Sequence, residues 1–494
     1  MRTQILRATA AAVALALFLG SCARAAGQGA AAVDGSTYTL RLEVDDSLSE
    51  IAGSLSLRYL NQEPAALERL QFFLFPNLTQ GRMRVTRCAI AGSPARTESW
   101  MNGAVLTAAL PRPLPPGARI EVDVDYRVTV PEDPAGEFGG FSRSGGTLSM
   151  AWCYPVVLSP RTWDSPAPVP WGDYLCKEPS IYSVRLSLPD GVELVAPGEE
   201  RSRRKEAGRT VVEFTHGPAR DLFMAILREP VTSTARVAGV QVRSFAPAGR
   251  QEAAALAADT ATRALEIFGR RFGAYPYGSL TVVGVPLASF GLEFPGIVAL
   301  SERIFDLDTT VSGLPARVLL EATAAHEVAH QWFYGIVGND QAREPWLDEV
   351  PAQYVTWLYY RDRYGAAAAE GFFASFRDRW NRVAGKAIPI GLGVWDYDAR
   401  EYGAIVYGRG PLFFKALSER MGETSFDRLL REWVRRYAGR IATTRDFSRL
   451  AGETCGCAVE DLFREWVLPA GNAATGGAPA RIGARIPGDV WASR

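Results

Sequence analysis

His326-Glu327-Val328-Ala329-His330, followed after eighteen intervening residues by Glu349, decides how the second half of this 494-residue chain is read. Residues four apart on a helix share one face, so His326 and His330 can aim imidazole nitrogens at a single ion. Glu349, in the PWLDE stretch that opens the next helix, completes a set of two histidines and one carboxylate. That is the ligand set of a catalytic zinc with its fourth position left to water, and zinc acidifies such water toward neutrality. Glu327 is rotated off the ligand face, where its carboxylate takes a proton rather than a metal. The chain has three histidines, and two of them fall at this spacing inside the apolar stretch 315–333. A solvated helix carrying histidines by accident would not have that background. His216, the third, lies in a strand-like stretch and is read as a polar contact.

Working outward, helical periodicity predicts segments over 251–271, 315–333, 348–364, 369–383, 410–421, 425–437 and 459–467, with short strands and loops over 280–300. In the 425–437 segment Phe426, Leu429, Leu430, Trp433, Val434 and Tyr437 form one apolar face, with Thr424 expected as N-cap. Upstream the pattern is strict alternation, as in Tyr38, Leu40, Leu42 and Val44, or Ile120, Val122, Val124, Tyr126 and Val128. The expected fold class is therefore α+β and multidomain: an N-terminal β domain over 36–247, a mostly helical catalytic domain over 248–470, and a poorly ordered tail over 471–494. A long irregular stretch, 131–179, is rich in aromatic residues and is expected to wall the cleft.

Net charge is zero with both signs interspersed, which excludes a nucleic-acid footprint and a polybasic membrane patch. The N-terminus carries Arg2 and Arg7 ahead of an apolar run to Leu19, too short to span a bilayer and suited to an export signal over 1–22. Leu19-Gly20-Ser21-Cys22 is similar to a bacterial lipobox, making Cys22 a lipid anchor and the sole link to a membrane; Ala23-Arg24-Ala25 would instead release a soluble periplasmic or secreted product. In an oxidising compartment Cys153 and Cys176 are the better candidates for a disulfide. One intervening residue disfavours pairing of Cys455 with Cys457, and Cys88 has no evident mate.

The chain resembles the gluzincin metalloaminopeptidases of the alanyl-aminopeptidase type, on motifs that occur in the family's order. Gly291-Leu292-Glu293-Phe294-Pro295-Gly296 is similar to the exopeptidase motif written GAMEN, HEVAHQWF is followed by Glu349 in WLDE, and Tyr407-Gly408-Arg409-Gly410 is similar to the family's Tyr-x-Lys-Gly. The resemblance implies a saddle-like twisted β-sheet domain before a thermolysin-like domain, one zinc ion and peptide substrates. It implies that Glu293 receives the substrate's α-ammonium, that the backbone of Gly291 and Leu292 borders the same substrate, and that Tyr407 donates to the oxyanion. Leu292 and Phe294 stand where the family has Met and Asn, and Val350-Pro351-Ala352 replaces Gly-Phe-Ala; Pro351 is expected to put the start of its helix near Asp348. The large C-terminal domains of many relatives are not expected here. The reading is a zinc aminopeptidase. An endopeptidase or a hydrolase of N-blocked peptides, and an inactive exported peptide-binding or scaffolding protein, are the alternatives. Oligomeric state and the preferred first residue are not legible.

Overall fold

Alternation becomes an eight-stranded sheet in the computed structural model, which describes residues 35–133, 139–383, 386 and 388–469. In spatial order the strands are Glu199–Glu206, Arg209–Ala219, Ser180–Leu188, Ser36–Val44, Glu50–Leu60, Arg119–Thr129, Arg82–Ile90 and Ser93–Pro94. Only Ser36–Val44 and Ser180–Leu188 pair in parallel; the other neighbours are antiparallel. Tyr38, Leu40, Leu42 and Val44 are buried while Thr39, Arg41 and Glu43 face solvent, as a period of two requires. Two four-stranded sheets cover the apolar face and close the first core.

A second, five-stranded sheet runs Val231–Val237, Val240–Ala246, Ser279–Val285, Ile297–Ser301 and Gly291–Phe294. Its first two strands lie on the N-terminal side of residue 247, yet they pair into the sheet that backs the metal-site helix. Val240–Ala246 and Ser279–Val285 are parallel, so their connection must cross over, and helix α1 (Gln251–Phe272) makes that crossing. The inner strands are buried on both faces and read as apolar runs, which hides the alternation. Gly291–Phe294 is an edge strand, antiparallel to its neighbour with Glu293 opposite Val298.

The helices that follow are α2 (Ala316–Ala329), α3 (Trp346–Tyr364), α4 (Ala366–Asn381), α5 (Ala399–Ala404), α6 (Gly410–Met421), α7 (Glu423–Tyr437), α8 (Thr444–Cys455) and α9 (Glu460–Trp466). A five-residue π-helical segment, Ile405–Arg409, links α5 to α6. Trp346 packs edge-on against Phe413 and Phe447, and Trp332 lies fully buried with its indole N–H donated to the Gly273 carbonyl at 3.0 Å. Trp332 and Phe333 are thus core anchors of the metal helix. Among the described residues, no helix is long and apolar enough to cross a membrane.

The irregular stretch packs onto the helical region. Trp171 donates to the Val394 carbonyl at 3.1 Å and Trp395 donates back to the Ala167 carbonyl at 2.8 Å, a reciprocal clasp between the β region and the helical region. Deeper in, the buried Arg220 guanidinium donates to the carbonyls of Lys177, Tyr334, Ile336 and Arg440. Gly338 makes room for it, since a Cβ there would stand 2.3 Å from the guanidinium carbon.

Several expectations are corrected. α3 begins at Trp346 rather than near Asp348, leaving Pro351 inside the helix, where it cannot donate to the Leu347 carbonyl. Every residue from Trp346 to Tyr359 is buried, and packing on that scale outweighs one lost hydrogen bond. α7 is capped by Gly422 at φ 80°, not by Thr424. The metal-site helix ends at Ala329, with His330 as its C-cap, short of residue 333. Cys455 and Cys457 form a disulfide with their Cα atoms 5.0 Å apart, because left-handed Gly456 turns the chain sharply at the end of α8. Cys153 and Cys176 are instead buried free thiols. Residues 1–34, including Cys22, and the 470–494 tail lie outside the described residues.

Candidate metal and peptide site

α2 packs against α1, against α3 and against the edge hairpin, and this sandwich buries both histidines. Their Nε2 atoms stand 3.1 Å apart, and Glu349 Oε2, from the first turns of α3, lies 3.2 Å from His326 Nε2 and 3.5 Å from His330 Nε2. Ligand atoms about 2.0–2.2 Å from a tetrahedral zinc stand about 3.3–3.5 Å from one another, so the three atoms are spaced for one ion. His330 Nδ1 meets the Phe333 carbonyl at 3.0 Å. A carbonyl only accepts, so Nδ1 carries the proton and Nε2 keeps the lone pair a metal needs. The residues fit the metal: His326, His330 and Glu349 can hold one ion.

The surrounding charge argues the same way. Burial pushes Glu327 and Asp348 up to about 8, Asp173 up to about 7 and Glu293 well above the carboxylate range, each raised further by its acidic neighbours. Burial acts on Glu349 too, but the His326 and His330 imidazoles outweigh it and hold that carboxyl well below its ordinary value. Lysine and arginine are missing from the groups that act most strongly on these five acids; only the two histidines are basic. Such a cluster is stable when cations join it. Glu293, Glu327 and His330 form a second set of ligand-type atoms within 4.8 Å of one another. One imidazole with two carboxylates suits zinc less well than the first set.

Glu327 sits off the ligand face, as its place in the five-residue motif requires, under the edge strand. A Cβ on Gly291 would fall 2.2 Å from Glu327 Oε1, so only glycine lets the strand lie this close to the carboxylate. Leu292 is half-buried beside Gly140. The hairpin is pinned from below by Gln331, which donates to the Phe294 carbonyl at 3.0 Å and accepts from Gly296 N–H at 2.9 Å. Glu293 Oε1 accepts from Gln341 Nε2 at 3.0 Å.

Tyr407 enters from the π-helical segment, and its hydroxyl donates to Glu349 Oε1. Its ring centroid is 6.1 Å from that of His326. The glycines beside it permit contact: a Cβ on Gly408 would meet the α4 backbone at 2.8 Å, and one on Gly410 would meet Val350 at 2.2 Å. Arg409 donates to the carbonyls of Ile388, Glu465 and Trp466, fixing the segment to the end of α9. The structure thus brings His326, Glu327, His330, Glu349, Glu293, Gly291 and Tyr407 to one centre. His216 does not join them. It is buried against Tyr277, ring centroids 5.1 Å apart, and burial pushes it down to about 4, so it stays neutral.

Sequence reasoning missed Asp173, Gln331, Gln341 and Asp348. Gln331 and Asp348 each adjoin a metal ligand in sequence, which was the one available clue. Asp173 and Gln341 lie in segments without periodicity, and only tertiary structure carries them to the cleft.

Residues 256–466 match the model of the Peptidase family M1 domain. Two curated relatives from Oryza sativa subsp. japonica align at low identity: Aminopeptidase M1-B, 25% over 293 residues, and Aminopeptidase M1-C, 23% over 393 residues. These alignments take in 53% and 77% of this chain but 32% and 44% of the relatives, so the chain spans less than half the length of either. The M1 zinc metallopeptidase of Deinococcus radiodurans superposes with a TM-score of 0.66 at 22% identity, covering 91% of this chain and 97% of that one. The arrangement of a multi-sheet β domain before a helical domain is therefore that protein's fold.

Proposed function

We propose, from the match of residues 256–466 to the Peptidase family M1 domain, that this protein is a zinc-dependent aminopeptidase cleaving the N-terminal peptide bond of peptides. The observation that carries the proposal is the fixed placement of Glu293 beside Glu327 and His330. A carboxylate held there reads a free α-ammonium and so counts from the substrate's end. Zinc held by His326, His330 and Glu349 supplies Lewis acidity to the attacking water and the scissile carbonyl.

The chain's own residues do the rest. Glu327 accepts the water's proton and delivers it to the leaving amine, a task its raised pKa suits. Tyr407 turns its hydroxyl from Glu349 to the developing oxyanion, an interaction commonly worth about 3 kcal/mol of barrier. Gly291 and Leu292 border the substrate along the edge strand. A mutant of the Deinococcus radiodurans enzyme is bound to Tyr-Ser-Ala substrate, which supports a peptide as the ligand here.

Export follows from the N-terminal reading, with attachment at Cys22 or release after Ala25. Mass spectrometry of the mature N-terminus separates the two. The activity is tested by comparing free with N-acetylated aminoacyl anilides, with and without chelator. Chelator-sensitive cleavage of the free forms is expected, and preference for the acetylated forms would overturn the assignment.

A further inference from the structure

Gln341 is buried in the loop between the histidine helix and the Glu349 helix, and its side-chain amide spans two acids. Nε2 donates one hydrogen to Glu293 Oε1 and the other to Asp348 Oδ2, both at 3.0 Å. Asp348 Oδ1 in turn accepts the Glu349 backbone N–H at 3.0 Å. A continuous run of hydrogen bonds therefore joins the acid beside the edge hairpin to the first turns of α3, which carry the metal ligand. The backbone around Gln341 is fixed from outside as well. Its N–H donates to the Leu175 carbonyl at 3.3 Å, and the Ala342 carbonyl accepts from Val394 N–H at 2.8 Å. Both partners belong to the two segments that the Trp171 and Trp395 hydrogen bonds clasp together.

A glutamate on a short edge strand has several rotamers, and a buried one repels its acidic neighbours. An amide NH₂ shared between Glu293 and Asp348 answers both difficulties: it selects one rotamer and screens two carboxylates without itself bringing a charge. One donor is spent on each acid, so neither is neutralised. Glu293 Oε2 is left for a cation. A lysine in place of Gln341 would fill the site with its own ammonium, whereas an amide keeps the negative field for the substrate.

We infer that Gln341 is the positioning residue of the α-amine subsite, holding Glu293 in the geometry that selects a free ammonium and tying that geometry to Asp348 beside the metal ligand. This rests on the aminopeptidase reading. It makes end-recognition a property of three side chains on three different elements rather than of the edge motif alone.

The test uses the full-length, zinc-loaded enzyme with Gln341→Leu, which removes the donors, and Gln341→Glu, which keeps the shape but puts a carboxyl in place of the amide. Steady-state kinetics are run on one aminoacyl anilide and its N-acetyl form, with zinc content measured in parallel. Loss of a hydrogen bond to a charged group predicts a fall of about 10- to 100-fold in the free-over-acetylated preference in both variants. It should show mainly as a raised KM for the free substrate, with one zinc per chain retained. Equal loss of kcat on both substrates with unchanged preference would reduce Gln341 to a packing residue and overturn the inference. Preserved preference in Gln341→Leu would also overturn it, since that side chain has no donor. A wild-type enzyme with no preference for the free amine would instead sink the aminopeptidase reading itself.

Discussion

The two ends of the cleft are built on different principles. At the metal end, ligands stand on helices whose internal spacing sets them: His326 and His330 on one face of α2, Glu349 buried in the opening turns of α3. At the amine end, Glu293 stands on a four-residue edge strand and owes its position to side chains from elsewhere, Gln331 beneath the hairpin and Gln341 beside it. The first arrangement is local and stiff. The second is assembled from parts distant in sequence, and it is the one that can drift without loss of the fold. On the proposed reading the reaction is fixed at the metal end, and selectivity is set at the amine end.

That contrast is sharpened most by Glu327→Gln. Removing a general base lowers turnover about 10²- to 10⁴-fold, and because Glu327 lies off the ligand face, zinc content should stay at one per chain. Loss of zinc together with activity would show that base and ligand roles are not separate. Gly291→Ala probes where the two ends touch. Its Cβ must displace Glu327 or the edge strand, and a misplacement of about 1 Å costs on the order of a hundredfold in kcat/KM on free and blocked substrates alike. Wild-type kinetics in that variant would mean the strand does not need its close approach.

Glu293→Gln acts on the amine end alone. The preference for free over acetylated anilides should drop about 10- to 100-fold with zinc binding intact, and a preference that survives would remove Glu293 from the ammonium site. The smallest effect is expected far from the cleft, at Thr443→Ala. Thr443 and Asp446 form a reciprocal cap on α8, whose removal costs about 1 kcal/mol and about 2–4 °C in Tm, read by calorimetry, with kinetics unmoved.

What could be read from the sequence divides along the same line. The histidine pair, the glutamate between them and the buried stripe of α7 follow from helical periodicity and are buried in the structure. Glu349 as a candidate ligand is legible in the sequence, but the start of α3 is not, because Pro351 argues locally against helix while burial of the whole segment argues for it. α8 carries a start mark in Thr443-Thr444-Arg445-Asp446, threonine followed three residues later by aspartate, but no long apolar run announces the helix. The Cys455–Cys457 pairing depended on the left-handed turn at Gly456, a backbone detail that spacing does not display. Gln341 and Asp173 were not legible at all, since hydrogen bonds across the cleft leave no periodic trace.

The account rests most heavily on which set of side chains holds the ion. Crystals of the zinc-loaded protein measured on either side of the zinc absorption edge would decide it directly. The anomalous peak is expected about 2.0–2.2 Å from His326 Nε2, His330 Nε2 and a Glu349 oxygen. A peak between Glu293, Glu327 and His330 would contradict the assignment, because the base and the amine-reading acid would then both be ligands.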